Sequence, residues 1–399
     1  MNLIYQIIIR LYWAIINLAS PFSLKARQWL NGRKKLEDCL PDGTTENIIW
    51  FHCASLGEYM QANPLIETLK ERNIEHKILL TFFSPSGYLN AGKNEHVDYK
   101  AYIPLDTPAN AQRFIEKTKP KIAIFIKSEL WPNFFKKLHH NSIPTFVVSA
   151  IYKPQHYLFK FYGKWQLSII KGVSHFFVQD EESKTLLNKQ GIYQVTVTGD
   201  NRYDKVFEDS IHSKEIPYIN SFKGSYPLIV AGSTYKIDSK MLISISNRMP
   251  KVKFILAPHE IELCDDLKKY GLLYSQANKD NVKNHSILII DSIGILSQLY
   301  QYANLSYIGG AFGKGLHNIL EAIAFGSYVF FGPKFHKYEE AKEAIRAGIA
   351  QSIKNEYELE TAIKQLIDQK SQSKNDALAF ISEKKGANKM IINTINDTI

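Results

Sequence analysis

Cysteine is scarce in this chain of 399 residues. Its three copies, Cys39, Cys53 and Cys264, lie far apart and form no C-x-x-C pair. That spacing supports neither a disulfide framework nor a structural zinc site, and it fits a reducing compartment. No G-x-G-x-x-G fingerprint opens the first β-α-β pattern, which argues against a dinucleotide oxidoreductase. No D-x-D pair is present to hold a divalent cation on a sugar diphosphate, so the expected metal set is none. Low-complexity tracts and repeats are absent as well. Acidic residues are missing ahead of Glu37 and again from Leu130 to Gln179, and the formal net charge is +10. Such a balance suits an acidic partner: nucleic acid, anionic lipid or a phosphorylated substrate.

Long apolar runs are also rare. The one at the N-terminus, Leu3 to Ala19, is broken by Gln6, Arg10 and Asn17 and is followed by Lys25, Arg27, Arg33, Lys34 and Lys35. A spanning helix needs about 20 apolar residues, and Arg10 is costly at mid-bilayer. No A-x-A-like cleavage site follows, and the charge comes after the apolar stretch, unlike a secretory signal. The basic flank keeps the remaining chain on the cytoplasmic side. Residues 1–35 therefore read as a membrane-associated segment, spanning or lying in the interface. The plainer alternative is an amphipathic helix packed on the protein itself.

What is present is an ordinary globular share of apolar residues, 45%, arranged as short runs alternating with helical patterns. Candidate strands are Ile48–His52, Lys77–Thr81, Tyr99–Ile103, Ile122–Ile126, Thr145–Ser149, His175–Val178 and Gln194–Val197, with helices such as Asn63–Glu71 and Ala109–Thr118 between them. After a polar stretch at 208–224 the pattern restarts with Leu228–Ala231, Lys253–Leu256, Ile287–Ile290, Leu305–Ile308 and Tyr328–Phe330. This order predicts an α/β chain with two doubly wound, Rossmann-like domains facing a central cleft, at 36–207 and 208–399, the second including the C-terminal helices. Ligands in such sheets bind beyond the carboxyl ends of the strands, so the chemistry is sought there.

Glu58 closes FHCASLGE, residues 51–58, at a strand–loop–helix junction. A carboxylate there can take a proton from a hydroxyl, or simply complement a helix N-terminus. Glu129, in KSELWPN after the strand at Ile122–Ile126, can orient an acceptor or cap the next helix. GGAFGKGLHNILEAIAFG, residues 309–326, carries four glycines before His317 and Asn318. Its backbone N–H groups can approach a phosphate. Glu321, three residues after Asn318, can accept two ribose hydroxyls or complete a capping box. Gly232, Ser233 and Thr234, then Pro258 and His259, then Ile293, Gly294 and Ile295 follow further strands, and TGDNRYD, residues 198–204, supplies Arg202. Together they form a candidate nucleotide site. From Leu130 to Gln179, lysines 136, 137, 153, 160, 164 and 171 surround Tyr157, Phe159, Phe161, Tyr162 and Trp165. That patch suits anionic headgroups, acceptor phosphates or nucleic acid, and some of its rings belong to the core.

FHCASLGE, SELWPN, TGDNRYD, AGST, APHE and GGAFGKGLHNILEA, in this order, resemble the 3-deoxy-D-manno-octulosonic acid (Kdo) transferase family of lipopolysaccharide synthesis. The resemblance implies a GT-B fold, CMP-Kdo as donor, the lipid A precursor lipid IVA as acceptor, inversion at the anomeric carbon, and no metal or cofactor. It implies Glu58 as proton acceptor and Glu129 as a second acidic residue near the acceptor. It also implies CMP contacts at Pro258, His259, Ile293, Gly294, Ile295, Asn318 and Glu321. The expected setting is the cytoplasmic face of the inner membrane, held by the N-terminal helix against anionic lipids, without nucleic acid. Four positions depart from the family pattern: Ile295 stands for a glutamate, Lys127-Ser128 for Glu-Thr, and His259 for an arginine. The competing readings are a GT-B transferase or epimerase using a UDP-sugar, and a non-catalytic membrane- or nucleic-acid-binding protein.

Overall fold

The computed structural model describes residues 2–34, 36–41, 47–72, 75–127, 129–367 and 370–398. Lys35 and Ser128 lie outside them. The chain divides into two compact units, Met1–Asp204 with Gly386–Ile399, and Lys205–Lys385.

Unit 1 holds seven strands: β1 (Ile48–Cys53), β2 (Lys77–Phe82), β3 (Tyr99–Tyr102), β4 (Ile122–Ile126), β5 (Thr145–Ala150), β6 (His175–Val178) and β7 (Val195–Val197). All pair in parallel. β1 reads IIWFHC and is buried throughout, the near-continuous apolar run expected of a strand covered on both faces. The order is β3-β2-β1-β4-β5-β6-β7. Unit 2 holds β8 (Leu228–Thr234), β9 (Lys253–Pro258), β10 (Leu272–Leu273), β11 (Ile287–Ile289), β12 (Leu305–Ile308), β13 (Tyr328–Phe331) and β14 (Ala350–Ser352), in the order β10-β11-β9-β8-β12-β13-β14. Each sheet runs one way from its first strand and then reverses. The switch falls between β1 and β4 in unit 1 and between β8 and β12 in unit 2. Ligands bind at such switch points because the loops after the two strands diverge and leave a crevice.

Several elements differ from the sequence reading. β10 and β14, two and three residues long, are too short to show periodicity. The stretch at 208–224 is partly helical, through Arg202–Ile211 and Ile219–Lys223. Helix α3 runs Leu56–Glu71, with Pro64 in its interior rather than in its first turn. The last helix, Ala387–Asn396, belongs to unit 1 and not to the second domain. Its apolar stripe Ala387, Ile391, Ile392 and Ile395 completes the core beside Ile66 and Leu69 of α3. The Asp204 carboxylate accepts the N–H groups of Gly386 at 2.8 Å and Asn388 at 3.4 Å, fixing where the chain returns.

The N-terminus forms α1 (Asn2–Ala19) and α2 (Leu24–Lys34), bent by 116° at their junction. Among the described residues no single helix is long and apolar enough to cross a membrane. α1 is tied to unit 1 by its polar side. Tyr5 donates its hydroxyl to Asp106 at 2.7 Å, Gln6 donates to Asn133 at 3.1 Å, and Tyr12 meets Trp29 and Phe83. Leu3, Ile8, Leu11, Ile15 and Leu18 remain exposed on the other side.

Candidate active site

β1 ends at Cys53, and Ser55 starts α3 from an extended conformation. Its hydroxyl donates not to the helix backbone but to the Glu58 carboxylate in the first turn. The other Glu58 oxygen lies 3.4 Å from the Lys127 ammonium, which follows β4. Burial pushes the Glu58 proton on, but the Ser55 hydroxyl, Lys127 and the helix's own amide outweigh it and hold the carboxyl below its ordinary range. Glu129, two residues beyond Lys127, moves the other way. Burial and the Glu58 charge raise it, with Lys127 opposing. Burial and Glu129 in turn push the Tyr157 phenol up to about 12, which brings the basic, aromatic segment to the rim of this site. The two candidate carboxylates thus sit on the two loops flanking the unit 1 switch point.

Their surroundings are rigid. His52 is buried, bonded to Thr81 at 2.9 Å, and meets the edge of Trp131. Burial, then Arg33, pushes it down to about 3, so it is a neutral core residue. The helix Pro132–His140 after Glu129 is capped from outside by Asp106, whose carboxylate accepts the N–H groups of Asn133 and Phe134 at 3.1 Å. Glu129 is therefore not that helix's capping carboxylate. Lys127 and Ser149 hold left-handed backbones, φ 62° and 56°, at the ends of β4 and β5. Strain of this kind costs on the order of 1 kcal/mol per residue and gathers at functional sites.

TGDNRYD makes its described contacts within unit 1. Ser149 donates to Asn201 at 2.7 Å, and Asn201 donates to the backbone oxygen of Gln61, one turn beyond Glu58. Arg202 belongs to unit 1, where Asp200 holds its guanidinium at 2.6 Å. The motif braces α3 within unit 1.

In unit 2 those loops do converge. β8 carries Gly232, Ser233 and Thr234, with Ser233 left-handed at φ 52° where the β8–β9 register shifts. Gly309 opens the glycine loop after β12, and its N–H donates to the Gly232 oxygen at 2.9 Å. A Cβ on Gly309 would lie 2.3 Å from the Ser233 oxygen, so only glycine permits this approach. Asp238 locks the two loops together. It accepts the Tyr307 hydroxyl at 2.6 Å, the Gly310 N–H at 3.2 Å and the Tyr235 N–H at 2.8 Å. Sequence reasoning missed it. The available signal was a carboxylate three residues past a helix start, the position of a capping residue. Beside it a cavity of about 430 Å³ is lined by Tyr235, Asp238, Glu260, Gly310, Gly313 and Lys314, among others.

His259, after Pro258 of β9, stacks 4.4 Å from His317, whose ring also meets the Tyr235 hydroxyl at 3.2 Å. Burial and His259 push His317 down to about 4. Asn318 lies ahead of the short helix Leu320–Ala324 rather than inside it. Its side-chain oxygen accepts the Leu320 N–H at 3.1 Å, and its amide donates to Glu321 at 3.0 Å. The two are paired side chain to side chain, not as a capping box. Burial raises Glu321, Asn318 opposes, and Asp209 and Lys205 face it with opposite signs. Ile293 and Gly294 are exposed after β11, on the loop leading to Ile295 and the turn at Leu296–Leu299. They offer backbone groups and one apolar side chain.

Residues 26–205 match the family described as 3-deoxy-D-manno-octulosonic-acid transferase (kdotransferase). The chain is 29% identical over 355 residues to a 3-deoxy-D-manno-octulosonic acid transferase of Aquifex aeolicus, covering 86% of this chain and 90% of that one. It is 26% identical to a bifunctional glycosyltransferase/methyltransferase of Fusobacterium nucleatum, covering 96% of this chain and 61% of that longer protein. Among solved structures, a UDP-GlcNAc 2-epimerase from Neisseria meningitidis superimposes with a TM-score of 0.59 at 16% identity, over 88% of this chain and 100% of that one. That likeness is one of fold, the GT-B architecture.

Proposed function

We propose, for a chain that belongs to the 3-deoxy-D-manno-octulosonic acid transferase family, that it moves Kdo from CMP-Kdo to the lipid A precursor lipid IVA, inverting the anomeric carbon, with Glu58 as general base. Glycosyl transfer of Kdo follows from the family. The donor, the acceptor and the base are our reading. The observation that carries it is the pair of carboxylates at the unit 1 switch point, of which Glu58 is gripped by Ser55 and Lys127 and held below its ordinary range. An ionised carboxylate can accept a proton at neutral pH, whereas a protonated one cannot.

In this reading the oxygen of an acceptor primary hydroxyl attacks the Kdo anomeric carbon, and its proton passes to Glu58. The bond from that carbon to the CMP phosphate breaks, and CMP leaves with the electron pair. Unit 2 receives the nucleotide. N–H groups of the glycine loop face the single phosphate, and Glu321, oriented by Asn318, accepts ribose hydroxyls. A monophosphate leaving group carries less charge than a diphosphate, so backbone donors can serve it without a divalent cation.

The acceptor is a lipid, and the surface of unit 1 suits it. The packed side of α1 touches the basic, aromatic segment through the Tyr5–Trp165 contact at 5.4 Å, and its other side is aliphatic and exposed. Phe161, 83% exposed, lies in that segment among lysines. We place this surface in the headgroup layer of the inner membrane's cytoplasmic leaflet, against anionic lipids. The test is an assay with CMP-Kdo generated in place and lipid IVA, with and without EDTA, read by product mass. Kdo-bearing product insensitive to EDTA supports the reading. Hydrolysis or epimerisation of a UDP-sugar, with no Kdo transfer, overturns it.

A further inference from the structure

The Glu58 carboxylate is gripped from two sides, and a role for its cationic neighbour rests on the reading of Glu58 as the base. One oxygen takes the Ser55 hydroxyl and the other faces Lys127 Nζ at 3.4 Å. Lys127 is not a casual surface lysine. Its backbone adopts φ 62°, unfavourable for any residue that carries a Cβ, and its N–H is fixed to the Val148 oxygen at 2.7 Å. The chain accepts that strain where β4 ends, between the strand and Glu129. A flexible lysine elsewhere on the loop would give only a weak, screened ion pair. Here the partner carboxylate is 13% exposed and a second carboxylate stands close by.

We propose that Lys127 is a positioning residue for the base: with Ser55 it fixes the Glu58 carboxylate in one orientation and keeps it ionised against the neighbouring Glu129. The groups around Glu58 leave this task to Lys127. From β1 comes Cys53, a buried thiol; from the loop after β4 comes Glu129, a like charge; and beyond Glu129 stands the Tyr157 phenol. Each of these either repels a negative Glu58 or is neutral. Ser55 supplies a hydrogen bond but no charge. Without the cation, burial is opposed only by the Ser55 hydroxyl and the helix's own amide, and Glu58 holds its proton more tightly.

A charge series tests this: Lys127→Arg, Lys127→Gln and Lys127→Glu, with kcat/KM for Kdo transfer followed against pH and folding checked by thermal melting. The acid limb of the wild-type profile reports the base. Arg keeps the limb in place, Gln moves it up by about one pH unit, and Glu moves it further, in the order of the charge removed. Well above the limb Gln recovers most of its loss, because the base itself is intact. A limb that stays put in all three variants overturns the proposal, as does a pH-independent loss in which Arg is no better than Glu. Absence of Kdo transfer by the wild-type protein is a separate outcome and overturns the reading of Glu58 itself.

Discussion

Glu58 and Glu129 end the loops of two hydrogen-bonded neighbours, β1 and β4, and their environments drive their protons in opposite directions. Ser55 and Lys127 hold Glu58 low, while burial and the Glu58 charge lift Glu129. Two carboxylates pushed apart in this way take different parts in acid–base chemistry. A base held below the ordinary glutamate range is ionised throughout neutral pH, so its contribution to turnover is lost only as pH falls through that lowered value.

Glu129 should tolerate loss of its charge better than loss of its shape. Glu129→Gln keeps the shape without the charge and is expected to keep kcat within about tenfold of wild type, below the usual worth of a general base. Glu129→Ala is expected to raise the acceptor KM. Initial rates against acceptor concentration check both. A Gln variant as inactive as one lacking Glu58 would make Glu129 an ionised catalyst instead.

Glu321 is placed to read ribose. Glu321→Gln should weaken CMP binding by about 1.5–3 kcal/mol, roughly 10- to 150-fold, the range of hydrogen bonds to a charged group. The same change should leave 2′,3′-dideoxy-CMP nearly untouched. Calorimetric titration of both nucleotides into both proteins measures it, and equal losses for the two ligands would remove the ribose contact.

Gly309 permits the close approach of the two nucleotide loops. Gly309→Ala puts a Cβ 2.3 Å from the Ser233 carbonyl oxygen and should cost about 1–3 kcal/mol of unit 2 stability. Asp238→Ala, which strands three donors, should also destabilise unit 2. Both should blunt the rise in melting temperature expected of the wild-type protein with CMP and not with UDP.

The apolar side of α1 should serve the membrane rather than the fold. Replacing Leu11, Ile15 and Leu18 together by serine is expected to abolish co-sedimentation with anionic vesicles while leaving the melting temperature within a few degrees, since these side chains are exposed. A large drop in melting temperature would show instead that α1 packs through this face.

Much of the fold was legible in the sequence where the physics is local. Each buried strand is a short apolar run closed by small or polar residues, so both sheets and both carboxylate loops could be read from Ile48, Ile122, Leu228 and Leu305 onward. Contacts distant in sequence were not legible. Asp238 bonds residues about seventy positions away. The last helix returns to unit 1 through Asp204, 182 positions before Gly386. The apolar pattern placed a helix at Asn63–Glu71, whereas Ser55 begins α3 early enough to bring Glu58 into its first turn. Lys127 stood out only as a departure from the family pattern, since neither its backbone angle nor its distance to Glu58 is written in the sequence.

The most direct test of the account is the rate of Kdo transfer from CMP-Kdo to lipid IVA by wild type and by Glu58→Gln, at neutral pH, with melting temperatures recorded for both. The account predicts transfer by wild type and a fall of about a hundredfold or more in the variant without loss of fold. A folded Glu58→Gln protein working at close to the wild-type rate would contradict it.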